Sequence, residues 1–275
     1  VVPLNDIGAV EEAFARFGKE IACVIIEPIP ANNGLLIQSK PFLDYLRKKT
    51  LAHQSLLIFD EVISGFRIGF EGAAGLYEVM PDLATFGKII GGGMPVGAYG
   101  GRKDIMAYVS PEGPVYQAGT LSGNPVAMAA GYAQLKECLK KDFYPELQHK
   151  TTWLVDKVNT FALKKNYPVH LFSMGSIFWI AFSTEHIVDR ADRINAASMG
   201  HFKILHNALL EYGIYLGPSG YEVGFVSSAH TEKDLYFTFK AMRKALELVF
   251  KESKLSSDNT NHPANSGLND EEKGA

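Results

Sequence analysis

The stretch Leu56-Leu57-Ile58-Phe59-Asp60-Glu61-Val62 decides the fold. Leu56 to Phe59 is a continuous apolar run of strand length, and it ends in two carboxylates. Such runs read as strands buried within a parallel sheet. Upstream, Ile21 to Ile26 repeats the pattern between Gly18 and Pro28 and predicts a strand buried on both faces. Between the two, Ser39 to Thr50 predicts a helix, with Ser39 as its N-cap and Pro41 tolerated in the first turn. Ahead of them, residues 6–18 form an amphipathic helix: Asp6 caps it, Val10, Phe14 and Phe17 recur at helical spacing, and Gly18 closes it. Leu83 to Phe86 is a third strand. Strand, helix and strand at these intervals predict right-handed βαβ units, a mainly parallel sheet and an α/β fold.

The composition supports a packed domain and excludes several classes. The 275 residues are 47% hydrophobic and 21% charged, and 27 basic against 30 acidic side chains leave a net charge of −3. That balance gives no basic face for a nucleic acid. No apolar run reaches the roughly 18 residues of a membrane helix. Two cysteines, Cys23 and Cys138, are too few for a disulfide framework and too far apart for a metal-ligand pattern, so the expectation is no metal and a reducing cytoplasm. The chain opens Val1-Val2-Pro3 without an initiator methionine or a signal-peptide pattern, which predicts a piece of a longer polypeptide.

Past the central strand, the texture changes twice. Asn124-Pro125 starts a helix running to about Lys141. Beyond it the pattern predicts a strand at Ile177 to Phe182, a helix from Ala191 to Tyr212, a strand at Ile214 to Leu216 and a final helix to about Phe250. The last of these is opened by a Thr231/Asp234 capping box. The expected organisation is a large-domain portion over residues 1–141, a small α+β domain over 142–250 and a disordered tail over 251–275.

Three features carry chemistry. Asp60 stands at the carboxyl end of a strand, where open parallel sheets bind ligands. An apolar strand ending in Asp-Glu also occurs in P-loop ATPases, but the Gly-x-x-x-x-Gly-Lys-Ser/Thr loop is missing here. Lys88 follows the third strand and enters Gly91-Gly92-Gly93 among apolar neighbours, a setting that could desolvate its amine and free it to condense with an aldehyde. No dinucleotide Gly-x-Gly-x-x-Gly accompanies those glycines. Third, Tyr116-Gln117-Ala118-Gly119-Thr120-Leu121-Ser122-Gly123-Asn124 precedes a helix, so free N–H groups and hydroxyls could hold an anion. Carboxylate, amine and anion loop together suit pyridoxal 5′-phosphate: acid for the ring nitrogen, lysine for the aldehyde, donors for the phosphate.

The strings FDEVISGFR (59–67), PDLATFGKIIGGGMPVGAYGGR (81–102), GPVYQAGTLSGNPVAMAAG (113–131) and GIYLGPSGYEVGFVSSAHTEKDL (213–235) resemble the glutamate-1-semialdehyde 2,1-aminomutase family. That family lies within the class III aminotransferases of fold-type I, and the likeness covers residues 1 to about 250. The resemblance implies pyridoxal phosphate, with a pyridoxamine form in the cycle, and Lys88 as the Schiff-base lysine and proton carrier. It implies Asp60 as partner of the ring nitrogen, Val62 packed behind the ring, Asn32 near the ring hydroxyl, and Glu27 at the same strand end with a less defined role. Gly119 and Thr120 match a pair that reaches the neighbouring subunit's cofactor phosphate, which implies a homodimer. Tyr116 and Glu222 match positions near the substrate or its gate.

The reaction implied is an isomerisation in tetrapyrrole (porphyrin) biosynthesis, moving the amino group of glutamate 1-semialdehyde from C2 to C1 to give 5-aminolevulinate. A class III aminotransferase using another amine and a keto-acid acceptor is the alternative, with a P-loop ATPase fragment or a non-catalytic domain behind it. Members of the family start well upstream of Val1. The resemblance therefore implies that this chain holds the lysine half of a site, has sheet strands left unpaired, and would bind cofactor poorly alone. The upstream part holds the phosphate loop, the aromatic that stacks on the cofactor, and much of the substrate-carboxylate site and gate.

Overall fold

The computed structural model describes residues 1–185 and 187–259. Helix α1 (Ile7–Phe17) begins where the Asp6 carboxylate accepts the Ala9 N–H at 2.8 Å, and Gly18 ends it. Val10 and Phe14 are buried, whereas Phe17 stays exposed. Strand β1 (Cys23–Ile26) leads through a loop to α2 (Lys40–Ala52), where the Ser39 hydroxyl accepts the Phe42 N–H. Strand β2 (Leu56–Glu61), the short helix α3 (Gly72–Tyr77), strand β3 (Leu83–Phe86) and strand β4 (Ala98–Gly101) follow. The sheet order is β1-β2-β3-β4, parallel across the first three strands and antiparallel at β4.

Burial on both faces, expected for the first strand, is not what forms. Ile25 of β1 is 61% exposed and Cys23 is exposed, while Ile26 is buried. In β2, burial alternates strictly, with Leu57, Phe59 and Glu61 inside. Both strands pack against α2, and α3 packs against β2. The other face of β1 is left uncovered among the described residues, so apolar residues on both faces do not mean two buried faces.

After the short α4 (Lys103–Met106), helices α5 (Pro125–Cys138) and α6 (Phe143–Lys165) lead to a second sheet. It is built from β5 (His170–Met174), β6 (Ile177–Ala181) and β7 (Gly224–Phe225), all antiparallel. Helices α7 (Met199–Glu211) and α8 (Glu232–Asn259) pack on each other. Every residue of β6 is buried, and its two faces serve different cores. Phe178 and Ile180 join the cluster made by α6, α7 and α8. Ile177, Trp179 and Ala181 join the cluster of α1, α2 and β2.

Three expectations fail in this half. The helix expected over Ala191 to Tyr212 is broken: only short 3₁₀ turns precede Met199, with Ile194 extended between them. The Asn195 side chain accepts the Ala197 N–H, and the Arg190 guanidinium pairs with Asp192, local bonds that compete with a helix start. Ile214 to Leu216 makes no strand; the third strand is β7. Helix α8 continues past Phe250 to Asn259, so part of the expected tail is helical, and residues 260–275 lie outside the described residues. The capping box forms as expected, with Asp234 N–H donating to Thr231 Oγ1 and Thr231 N–H to the Asp234 carboxylate. None of the described helices is long and apolar enough to cross a membrane.

Candidate active site

Because β1, β2 and β3 run parallel, their carboxyl ends open on one edge. Ile26 pairs with Phe59, Asp60 with Thr85 and Glu61 with Phe86. Glu27, Asp60 and the Gly87-Lys88 turn follow at neighbouring strand ends, the place where parallel sheets bind ligands. Burial pushes the Glu27 carboxyl up from its usual value. Hydrogen bonds from the Ala31 N–H and the Asn32 side chain oppose that rise, the Asp60 charge adds to it and the Lys88 charge offsets it. Asn32 Nδ2 lies 3.5 Å from Glu27 Oε1. Four of the expected residues thus share one electrostatic neighbourhood.

The two adjacent carboxylates do opposite jobs. Glu61 is buried and its oxygens are occupied: Ala73 N–H at 2.7 Å, Ala74 N–H at 3.2 Å and Ser64 Oγ at 3.2 Å all donate to it. It caps the start of α3 and belongs to the framework. Asp60 accepts the Val62 N–H at 3.1 Å and the Thr85 hydroxyl at 3.2 Å, both on Oδ1. No described residue donates to its Oδ2. A half-used, oriented carboxylate at a strand end is ready for an external N–H donor.

Lys88 opens a 3₁₀ turn, Lys88–Gly91, with its backbone in the left-handed region at φ 47°. A long side chain rarely adopts that conformation, and such strain gathers at functional positions. The desolvated amine expected from its apolar neighbours is not found. Lys88 is exposed, because the turn presents it to an open cleft rather than folding it between Ile89 and Ile90. The cleft encloses about 630 Å³ and is lined by Lys88, Phe66, Arg67, Gln134 and Ser227 among others. Val62 stands behind the turn, with Cγ1 3.2 Å from where a Cβ on Gly87 would sit.

The Gly119–Thr120 loop is exposed and does not line that cleft. Gly119 borders a separate hollow of about 800 Å³ with Tyr99, Met128 and Tyr132. Tyr116 is 82% exposed on the same loop. The loop is nonetheless tied to the lysine. Asn124 caps α5 by accepting the Val126 N–H at 2.9 Å, and α5 lies backbone to backbone on the Lys88–Gly91 turn. A Cβ on Gly131 would collide with the Ile90 carbonyl, and one on Gly92 (φ 56°) with the Ala130 carbonyl.

Glu222 is exposed in the turn before β7, and its side chain folds over Gly217. That turn is fixed to the loop carrying Asn32: the Tyr221 carbonyl accepts the Gly34 N–H at 2.7 Å, and the Gly220 carbonyl accepts Trp179 Nε1–H at 2.8 Å. Two residues escaped the sequence reading. Thr85 steadies Asp60, and only the β2/β3 register reveals it. Arg67 lines the lysine cleft, although it is the last residue of a string that drew attention for its other members. Among the described residues no cluster of three or more His, Cys, Asp and Glu side chains could hold a metal ion.

Comparison with known proteins gives this arrangement a context. A glutamate-1-semialdehyde 2,1-aminomutase of Leptospira biflexa is 47% identical over 250 residues, 90% of this chain and 58% of that protein. An omega-transaminase structure from Sphaerobacter thermophilus matches with a TM-score of 0.84 at 31% identity, covering 90% of this chain and 56% of that one. A glutamate-1-semialdehyde-aminomutase from Pseudomonas aeruginosa PAO1, solved in complex with PMP, matches with a TM-score of 0.80 at 27% identity, again over 90% and 56%. The chain therefore spans a little over half the length of these relatives. Residues 4–246 also match the family model described as Aminotransferase class-III. Because that match runs unbroken from the segment before α1 into α8, it takes in both sheets and every strand end described above, and the chain belongs to the class-III aminotransferase family.

Proposed function

We propose that the enzyme containing this chain is a pyridoxal-phosphate-dependent isomerase that moves the amino group of glutamate 1-semialdehyde from C2 to C1, giving 5-aminolevulinate for tetrapyrrole synthesis. The observation that carries this reading is the half-used Asp60 carboxylate at the strand end next to the one that carries the exposed, left-handed Lys88, in a chain 47% identical to an aminomutase. The residues fit the cofactor: Asp60 Oδ2 is free to accept a pyridinium N–H, and Lys88 offers an amine on the same sheet edge. When bound, the cofactor supplies a carrier for the amino group and an electron-withdrawing ring that stabilises a carbanion.

The remaining work falls to the protein. Asp60 holds a positive charge at the ring nitrogen by opposite-charge attraction. The Lys88 Nζ takes a proton from the substrate carbon that carries nitrogen and returns one at the end, as base and then acid. Val62, packed beside Gly87, would give the ring an apolar wall that excludes water from that face. Asn32, which contacts Glu27, would bond the ring hydroxyl. Gly119 and Thr120 are exposed on their loop; their N–H and hydroxyl would serve the cofactor phosphate of a second copy, in a homodimer. Tyr116 and Glu222, both exposed, would serve the substrate or its gate. The setting is the cytoplasm, in keeping with two free cysteines.

The deciding assay supplies glutamate 1-semialdehyde as sole substrate and measures 5-aminolevulinate. Product without any keto acid supports the mutase. An absolute need for a keto-acid acceptor moves the chain to the second reading, an aminotransferase of another amine, which the Sphaerobacter omega-transaminase match favours. Run on the 275-residue chain and on protein extended to its relatives' length, the assay also tests the poor cofactor binding expected of the shorter form.

A further inference from the structure

Among the described residues, two with side chains hold left-handed backbone at the lysine cleft: Phe66 at φ 57° and Lys88 at φ 47°. The other described cases stand elsewhere: Asn5 precedes α1, and Gln54, Glu78 and Asn166 sit at or just past the ends of helices. A bulky aromatic is disfavoured in this conformation and persists only where its surroundings hold it. Phe66 is held from several sides. Its carbonyl accepts the Tyr144 hydroxyl at 3.0 Å, from the first turn of α6. Its ring meets Phe70 edge-on at 5.3 Å and Phe86 tilted at 5.5 Å between centroids. Just before it, the Gly65 N–H donates to the Glu61 carbonyl at 2.9 Å, and a Cβ on Gly65 would lie 2.8 Å from the Phe86 ring. Phe86 ends β3, and only Gly87, buried against Val62, separates it from Lys88. Little chain is left there to absorb a shift of the Phe86 ring before it reaches the lysine. No ion pair among the described residues ties down the Lys88 amine, so its backbone conformation sets where that amine points.

We propose that Phe66 is a positioning residue for Lys88, a brace whose ring, set against Phe86, keeps the lysine backbone left-handed and so aims its amine. The proposal rests on the reading of Lys88 as the amine that condenses with the cofactor aldehyde, and it names what directs that amine. Phe66 itself bonds to neither cofactor nor substrate. Without the ring, Lys88 is free to fall into the right-handed or extended backbone that a long side chain prefers, and the amine swings with it.

The test compares Phe66→Ala, Phe66→Gly and Phe66→Leu in the enzyme containing this chain, stripped of cofactor and then given pyridoxal 5′-phosphate. Capture joins the Lys88 nitrogen to the aldehyde carbon and releases water, and it is read as growth of the visible absorbance of lysine-bound cofactor. Glycine accepts positive φ freely, so Phe66→Gly should resist urea at least as well as Phe66→Ala. A merely structural residue would then work better as glycine than as alanine. The brace predicts instead that both variants capture cofactor about tenfold or more slowly than wild type, with Phe66→Leu recovering part of the rate. The backbone ¹³C shifts of Lys88 report its φ without cofactor, and they should be left-handed in wild type and displaced in Phe66→Gly. A wild-type Lys88 that is not left-handed before cofactor is added overturns the proposal even if every variant fails to fold. So does a folded Phe66→Gly with wild-type Lys88 shifts or a wild-type capture rate, or capture that simply follows stability across the three variants. If the variants displace Lys88 while the wild type never captures cofactor, the brace stands and the reading of the reaction falls.

Discussion

Strand β3 starts beside one carboxylate and ends beside another, and the two are used differently. At its amino end Asp82 is buried and full: Oδ2 takes the Leu57 N–H and Arg47 Nη1, both at 2.8 Å, and Oδ1 takes Arg102 Nη1 at 3.0 Å. Asp82 thereby ties α2, β2 and the end of β4 together. At the carboxyl end Asp60 spends one oxygen on the protein and keeps the other. Both are aspartates touching the same strand. A carboxylate with both oxygens engaged holds the frame, and one with an oxygen left over can still accept a further donor.

That contrast can be broken by substitution, and the largest effect is expected at the open end. Lys88→Ala should abolish turnover and the visible absorbance of the lysine-bound cofactor while leaving the melting temperature close to wild type; full activity would move the covalent role elsewhere. Asp60→Ala should cost roughly 3 kcal/mol of transition-state stabilisation, on the scale of other preorganised charge deletions, read as a fall in kcat of about a hundredfold. Asp82→Ala should reverse the signature, losing about 3 kcal/mol of unfolding free energy because the largely buried Arg47 guanidinium loses its ion-pair partner. A stable Asp82 variant with impaired kcat would erase the distinction between the two ends.

Gly131→Ala should cost about 1–3 kcal/mol by pushing α5 off the Ile90 carbonyl, measured by urea denaturation. The smallest effects are in pH dependence. Burial alone would raise Asp82, but the Leu57 N–H, Arg102 and Arg47 outweigh it and hold the group below its usual value. Its stabilisation is present above 3.8, the ordinary value, and is lost as pH falls through the lower folded value. Asp82→Asn should therefore flatten the acid limb of stability. Glu27 runs the other way: with its folded value raised by burial, its contribution is complete below 4.5 and is lost as pH rises through the folded value. Glu27→Gln should gain on wild type as pH climbs from that point, in unfolding measured across a pH series.

Much of the first sheet was legible because its signals are local. Asp6 and Ser39 cap helices by reaching three residues ahead, and Leu83 to Phe86 is bounded by its neighbours in sequence. Asp60 and Lys88 could be named for the same reason, since each follows a strand at once. What escaped depends on contacts between distant segments. The exposure of Ile25 turns on which face of the sheet is covered, and β7 is only two residues long, held by Ile177 and Phe178. The break before Met199 comes from Asn195 and Arg190 bonding to their own neighbours. Thr85 needs the strand register, and Arg67 needs Ser176 and Phe225, more than a hundred residues further on.

The contact between α5 and the Lys88–Gly91 turn makes mechanical sense of the two bare glycines, Gly92 and Gly131. With peptide planes touching and no side chains between them to cushion movement, the amine and the Gly119 loop are mounted on one stiff bracket. Anything that seats on the loop, thirty residues further along the chain, would tug the lysine by nearly the same displacement.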